Sequence, residues 1–400
     1  MSYDVQRLRD QVPALREGAA HFDGPGGTQI PDPVADAMSA ALRSAVSNRG
    51  RVTAAERRAD DMVCGAREAM ADLLGADAGG IVFGRSMTQI TFDVARTLSQ
   101  DWGPGDEVVV SRLDHDANVR PWVIHATRSE ATIRWIEFDP ATGELGVDDV
   151  RAQLSDRTRV VALTGASNLI GTRPDIAAIA PVVHDAGALF YVDGVHLTAH
   201  APISITELGA DFYACSPYKF LGPHLGALAA SPALLESLHP DKLLPSTEAV
   251  PERFELGTLP YELLAGVTAA VDVLAGLVPG QGTRRERLLL SLAALEDYED
   301  ALHERLRKGL ESVPGLRTHS NARHRTPTET FTIDGIDAED VTLLLAERGV
   351  NAPSGNFYAL EASRWLGLGD AGGVRAGLAP YTSESDVDRL IEGLQEIAPT

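Results

Sequence analysis

The chain is predicted to be an α/β protein built on a mostly parallel sheet, and three observations say so. Between residues 81 and 192, short apolar runs alternate with helical patterns of about ten residues, the order that produces βαβ units. The residues just past those runs are polar and chemically varied: Arg85 and Ser86, His115, Ser167 and Asn168, Asp193, then Ser216 to Lys219. Such sheets gather ligands beyond the carboxyl ends of their strands, so these residues define one expected site. After Gly226 the alternation stops, and a long charged helix from 284 to about 313 leads into a second unit.

In chain order, residues 1–18 read as a helix with polar flanks. HFDGPGGTQIPDP (21–33) is a loop whose glycines permit close backbone approach to a ligand. Residues 36–47 and 54–74 have helical apolar spacing. Ile81, Val82 and Phe83 form a short strand, and Gly84 to Thr88 lead from it into a helix reaching about 99. A strand, a small-residue turn and a helix start make a place for phosphate, which exposed helix N–H groups favour. Strands follow at 107–110, 132–138, 159–163 and 188–192, with helices at 116–128, 147–154 and 175–186 between them. A further apolar run spans 212–215, a strand 227–231 and a helix 263–277. The C-terminal unit offers strands at 328–333 and 374–378 and helices at 338–347 and 384–397. The implied division is an N-terminal segment, 1–18, packing on the small domain, a large domain over 19–283 and a small α+β domain over 284–400.

Composition narrows the partners. The chain has 400 residues, 44% of them hydrophobic, which is ample for a sizeable core. A net charge of -22 argues against nucleic acid, because phosphate backbones need a basic surface. No apolar run approaches the roughly eighteen residues of a membrane span, and the charged N-terminus has no apolar signal core. A cytoplasmic protein is expected. The two cysteines are too few for a disulfide framework and lie in no metal-ligand spacing, so no metal site is expected. Cys64 falls in an amphipathic helical run and Cys215 ends an apolar strand. Both are expected to be small buried hydrophobes.

Two residues carry the chemistry. Asp193 ends the apolar run Ala188 to Val192, and Lys219 follows the run Phe212 to Cys215. A carboxylate and a lysine at one edge of a parallel sheet are what pyridoxal 5'-phosphate (PLP) requires. The amine forms a Schiff base with the aldehyde, and the carboxylate keeps the pyridine nitrogen protonated, so that the ring acts as an electron sink. A nucleotide-binding dehydrogenase is disfavoured, since no G-x-G-x-x-G follows the first strand.

On these residues the chain resembles the class V aminotransferases of PLP fold type I, and within them the cysteine desulfurase and selenocysteine lyase group. The resemblance covers nearly the whole length. It implies a large domain with a mostly parallel seven-stranded sheet sandwiched by helices, plus a small α+β C-terminal domain. Lys219 in SPYKFLGP matches the Schiff-base lysine, and Asp193 the residue on the pyridine nitrogen. His115 in LDHDANVRPW matches the histidine stacked on the ring, and Asn168 in SNLIGT the asparagine near the ring hydroxyl. Ser86, Met87 and Thr88, with Ser216, match the phosphate cup, and Thr258 in RFELGT the threonine given by a neighbouring subunit, hence an expected homodimer. Arg375 matches the arginine for the substrate carboxylate, whose planar fork suits that group bidentately. Asn356 is placed on the substrate side, and Tyr218, His196, Arg120 and the 351–360 loop are expected to shape the substrate pocket.

Three departures from the family pattern matter. His196 stands where many relatives have Gln, and would still offer a donor to the cofactor. Tyr218 replaces the His that commonly precedes the lysine. The loop that carries the desulfurase nucleophile reads NAPSGNFYALEA and contains no Cys. Ser354 cannot hold a persulfide, because that chemistry needs a thiolate. The resemblance therefore implies aldimine and quinonoid chemistry on an α-amino acid, without persulfide formation and most simply as a β-eliminating C–S lyase. A class V aminotransferase or an epimerase is the alternative, and outside catalysis a non-catalytic PLP-binding protein.

Overall fold

The computed structural model describes residues 3–399. Seven strands form the large sheet: β1 (Ile81–Gly84), β2 (Glu107–Ser111), β3 (Thr132–Ile136), β4 (Thr158–Thr164), β5 (Leu189–Asp193), β6 (Phe212–Cys215) and β7 (Gly226–Ala230). Their spatial order is β1-β7-β6-β5-β4-β2-β3. From β3 through β2, β4 and β5 to β6 every pairing is parallel, whereas β7 runs antiparallel to both β6 and β1.

The apolar runs are continuous because both faces of this sheet are covered. Alternate side chains go to opposite cores. Val109, Val161, Leu163, Phe190 and Val192 belong to one cluster, and Val108, Val110, Val160, Ala162 and Tyr191 to the other. The register sets Thr164 beside Asp193 and Asp193 beside Ala214, which brings the ends of β4, β5 and β6 to one edge.

A second, antiparallel sheet contains β8 (Leu316–Thr318), β9 (Thr328–Ile333), β10 (Ser354–Gly355) and β11 (Gly373–Gly377), in the order β10-β11-β9-β8. Phe331, Val374 and Ala376 pack there against Leu345 and Leu390 of the helices Ala338–Glu347 and Glu384–Ile397. The helix Arg284–Glu311 joins the two bodies. Its Leu288, Leu292 and Leu295 enter the large core, and its Leu302, Leu306 and Leu310 the small one. Thr283 and Glu286 close a capping box that fixes where it starts.

Several local expectations are corrected. Residues 1–18 do not form one helix: Val5–Arg9 is helical, and a 3-10 turn follows at Pro13–Glu17, where the proline cannot continue the ladder. This segment packs both ways, with Leu8 and Val12 in the large core and Arg9 paired to Asp386 at 2.6 Å. Ala20 and Phe22 then join the small core, and Ala20–His21 pairs with Val350–Asn351. The helix expected over 116–128 divides into a turn at Asp116–Asn118 and a helix at Arg120–Arg128, with Pro121 in its first turn. Cys64 is exposed, not buried, while Cys215 is buried as expected. No helix among the described residues is long and apolar enough to cross a membrane.

Candidate active site

A cavity of about 650 Å³ opens at the carboxyl edge of β4, β5 and β6. The loop at Pro25 and Gly26 and the segment Phe357–Tyr358 close its sides. Ser86, Met87, Thr88, His115, Asn168, Asp193, His196, Ser216, Tyr218, Lys219 and Arg375 all line it.

Asp193 ends β5 almost wholly buried, and its Oδ1 accepts the Val195 N–H at 2.9 Å. Burial pushes its carboxyl up to about 7, against the pull of Lys219. Lys219 ends the 3-10 turn Pro217–Lys219 that follows β6, and its Nζ donates to the Pro25 carbonyl. Burial brings its ammonium down to about 7, assisted by Arg375 and opposed by Asp193 and Asp23. A lysine held there is divided between ammonium and free amine near neutral pH.

His115 receives the Ala117 N–H on Nδ1 at 3.0 Å, so that nitrogen carries no proton and the neutral ring holds its proton on Nε2. Burial, then Lys219 and Arg375, hold its pKa at about 4. On the far wall, Ser86 caps the helix Met87–Leu98 by accepting the Gln89 N–H at 3.1 Å. The first amides of that helix have no intrahelical acceptor and suit an anion. Gly226 passes so close that a Cβ there would lie 2.3 Å from the Ser86 carbonyl carbon.

Arg375 projects from β11. Its Nη1 donates to the Asn168 carbonyl at 2.9 Å, its Nε is buried without a partner, and Phe357 lies 3.7 Å from its guanidinium carbon. Burial lowers its pKa to about 9, with Asp23 opposing. Asn168 donates Nδ2 to the Phe357 carbonyl at 2.9 Å and leaves a buried Oδ1 unpartnered. His196 sets Nε2 at 2.9 Å from Thr326 Oγ1 and 3.0 Å from Thr328 Oγ1, and burial keeps the ring neutral. Tyr218 stacks on His224 at 4.8 Å, and burial raises its hydroxyl.

Some expected residues lie elsewhere. Asn356 is corrected: its side chain stays outside the cavity wall, accepting the Tyr358 N–H at 3.0 Å and donating to the Asp370 carbonyl at 2.8 Å. It shapes the loop and is not free for substrate. Thr258 is exposed and lines a different cleft together with Arg85 and His224. Ser167 is buried, and its Oγ accepts the Leu169 and Ile170 amides at 3.4 Å. Neither cysteine lines the cavity.

Sequence reasoning missed Phe92, Asp116 and Val195, which also line the cavity, whereas Phe357 and Tyr358 belong to the 351–360 loop expected to shape the substrate pocket. Asp23, which bears on both Lys219 and Arg375, was missed too. Its signal was the Gly/Pro-rich loop that contains it. Which residues of the 351–360 loop face the cavity had no such signal, because the left-handed backbone at Phe357 and Tyr358 carries no glycine.

These groups fit PLP. A buried amine, a buried carboxylate, a helix start and an orphaned amide oxygen lie around one space, and each answers a different part of that molecule. Fold and site together define a PLP-dependent enzyme of fold type I. The chain belongs to the aminotransferase class V family, whose model matches residues 20–390. An aminotransferase-like protein, FGM3, from Gibberella zeae is 32% identical over 99% of each chain. The cysteine desulfurase CsdA of Escherichia coli is 31% identical, over 98% of this chain and 97% of its own. A crystal structure of CsdA superposes with a TM-score of 0.87 over the full length of both chains, at 27% identity.

Proposed function

We propose that the chain is a β-eliminating lyase for α-amino acids that carry a sulfur leaving group on Cβ. The observation behind this reading is a cavity with amine, carboxylate and guanidinium in place and no thiol in its wall. Cys215 is buried in β6 and Cys64 sits on the exposed face of the helix Ala54–Leu74, so neither offers a sulfur acceptor. PLP supplies an electron sink for charge developing at the substrate Cα.

The protein's part is binding and proton movement. Arg375 would meet the substrate carboxylate, which would offset the lost hydration that the Asn168 carbonyl and Asp23 replace in part. Asp193 would pair with the pyridine nitrogen, and the amides of Met87 and Thr88, with Ser86 and Ser216, would hold the phosphate. With PLP bound, Lys219 Nζ would take the substrate's Cα proton, as a base with a pKa near 7 does well at neutral pH. The Cβ–S electron pair leaves with sulfur, which would take up the proton held on Lys219 Nζ, or one from water. The released 2-aminoacrylate hydrolyses to a 2-keto acid and ammonia. Elimination from a good leaving group needs no cysteine.

Transamination is the second reading, favoured by the description of the Gibberella relative as aminotransferase-like. In that case Lys219 would again be the group that carries the proton taken from Cα. The chain also acts as a homodimer in this reading. Thr258 is exposed next to Leu256, itself 52% exposed, which leaves it accessible to a second copy of the chain. Sedimentation equilibrium showing an active monomer would refute the dimer. For the reaction, S-substituted L-cysteines are incubated with the PLP-loaded protein and no keto-acid acceptor. Many equivalents of keto acid per chain support elimination, and a halt at one equivalent assigns transamination.

A further inference from the structure

We propose that Phe357 and Tyr358 form a fixed aromatic wall that selects amino acids bearing a flat apolar group on the side chain, an S-aryl cysteine being the simplest. This rests on the reading of the cavity as an amino-acid site. The two are consecutive and both left-handed, with φ of 51° and 60°. Apart from them, positive φ among non-glycine residues occurs at Glu130 and Leu221 among the described residues. A loop that needed no more than a turn there would take glycine, which adopts this backbone without strain.

The strain is held in place from several sides. The Tyr358 carbonyl accepts the Asp116 N–H at 2.7 Å, and the Ala359 N–H returns to the Asn356 carbonyl at 2.8 Å. The Asn168 side chain holds the Phe357 carbonyl, and that of Asn356 holds the Tyr358 amide. Backbone strain kept by surrounding bonds is a mark of ligand-binding segments.

What the strain achieves is the placing of two rings. Phe357 sets its ring centroid 3.7 Å from the Arg375 guanidinium carbon, and both residues line the cavity. Tyr358 turns one side of its ring toward His115, with centroids 5.4 Å apart and a tilt of 31°, and remains 73% exposed. A large aromatic that gains so little from burial inside its own chain is poised to gain it from a ligand. Phe92, Val195 and Ala117 continue the apolar lining. The charged pair at the mouth, Arg120 and Asp116, is self-neutralised at 3.0 Å. The space beyond the amino-acid head therefore suits a flat apolar substituent more than a charged one.

The test reads binding, not turnover. S-phenyl-L-cysteine and S-methyl-L-cysteine are titrated into PLP-loaded protein, and dissociation constants are taken from the shift of the cofactor's visible band. Wild type is expected to prefer the phenyl compound by about tenfold or more. Tyr358→Ala should bring the two constants within about twofold by weakening the phenyl compound alone, while Tyr358→Phe keeps the preference. No preference in wild type overturns the proposal, as does equal weakening of both compounds by Tyr358→Ala. A change of oligomeric state in Tyr358→Ala with the preference intact overturns it as well and assigns the ring to a subunit contact. If the preference is present but no keto acid forms, elimination fails and the aromatic wall stands. If both compounds give keto acid and bind with equal constants, elimination stands and the aromatic wall fails.

Discussion

The cavity and the small body both bury charge, and they handle it in opposite ways. In the small body Glu329 is fully buried, and its Oε1 takes His303 at 2.8 Å, Arg325 at 3.2 Å and Arg307 at 3.6 Å. The protein supplies these counter-charges from within, gathered on Oε1, while Oε2 is buried without a partner. In the cavity, Lys219 donates to a backbone carbonyl, Arg375 Nε has no partner and Asp193 accepts one backbone N–H. Their pKa values are displaced toward neutral forms by burial, as happens when charge is left unmatched. The difference teaches which buried charges serve the fold and which await a ligand.

The contrast is most open to attack at Lys219. Lys219→Ala should lose the visible cofactor band and several orders of magnitude of turnover, while circular dichroism stays native. Glu329→Ala should do the converse. Removing one partner of a buried cluster costs about 3–5 kcal/mol, read by denaturant unfolding, with cofactor content per folded chain unchanged. Arg375→Ala should raise KM by roughly 30- to 100-fold, the value of a hydrogen-bonded charge, with kcat and cofactor content little altered. Next comes pH. The Lys219 amine becomes free as pH rises through about 7, so the rate of PLP uptake should climb up to that point and then level. An ordinary lysine would let it climb to about 10. The smallest effects belong to Cys64→Ala and Cys215→Ala, each expected to change turnover by less than about twofold. A large loss from either would reopen a persulfide route.

Most of the cavity's strand-end residues were legible in the sequence because strand ends are. Asp193 and Lys219 close continuous apolar runs, and a chain that buries both faces of a sheet must write its strands that way. The Ser86 helix start was legible for a similar reason, as a small-residue turn between two periodic patterns. Asn356 was misjudged because a loop's sequence does not say which way an amide points. Its two hydrogen bonds face the loop itself. The N-terminal helix was overextended across Pro13, and β8 and β10 are too short for periodicity to register. Cys64 was assigned to the buried stripe of a helix whose other residues follow it, a difference of one position around the turn.

The most direct measurement is the melting temperature of cofactor-free Lys219→Met beside cofactor-free wild type. If the cavity's charges are kept for a ligand, replacing a buried amine by an apolar chain of similar length leaves the melting temperature equal or raises it. A fall of several degrees would show that Lys219 is held for the fold, as Glu329 is, and would contradict the distinction drawn between the two regions.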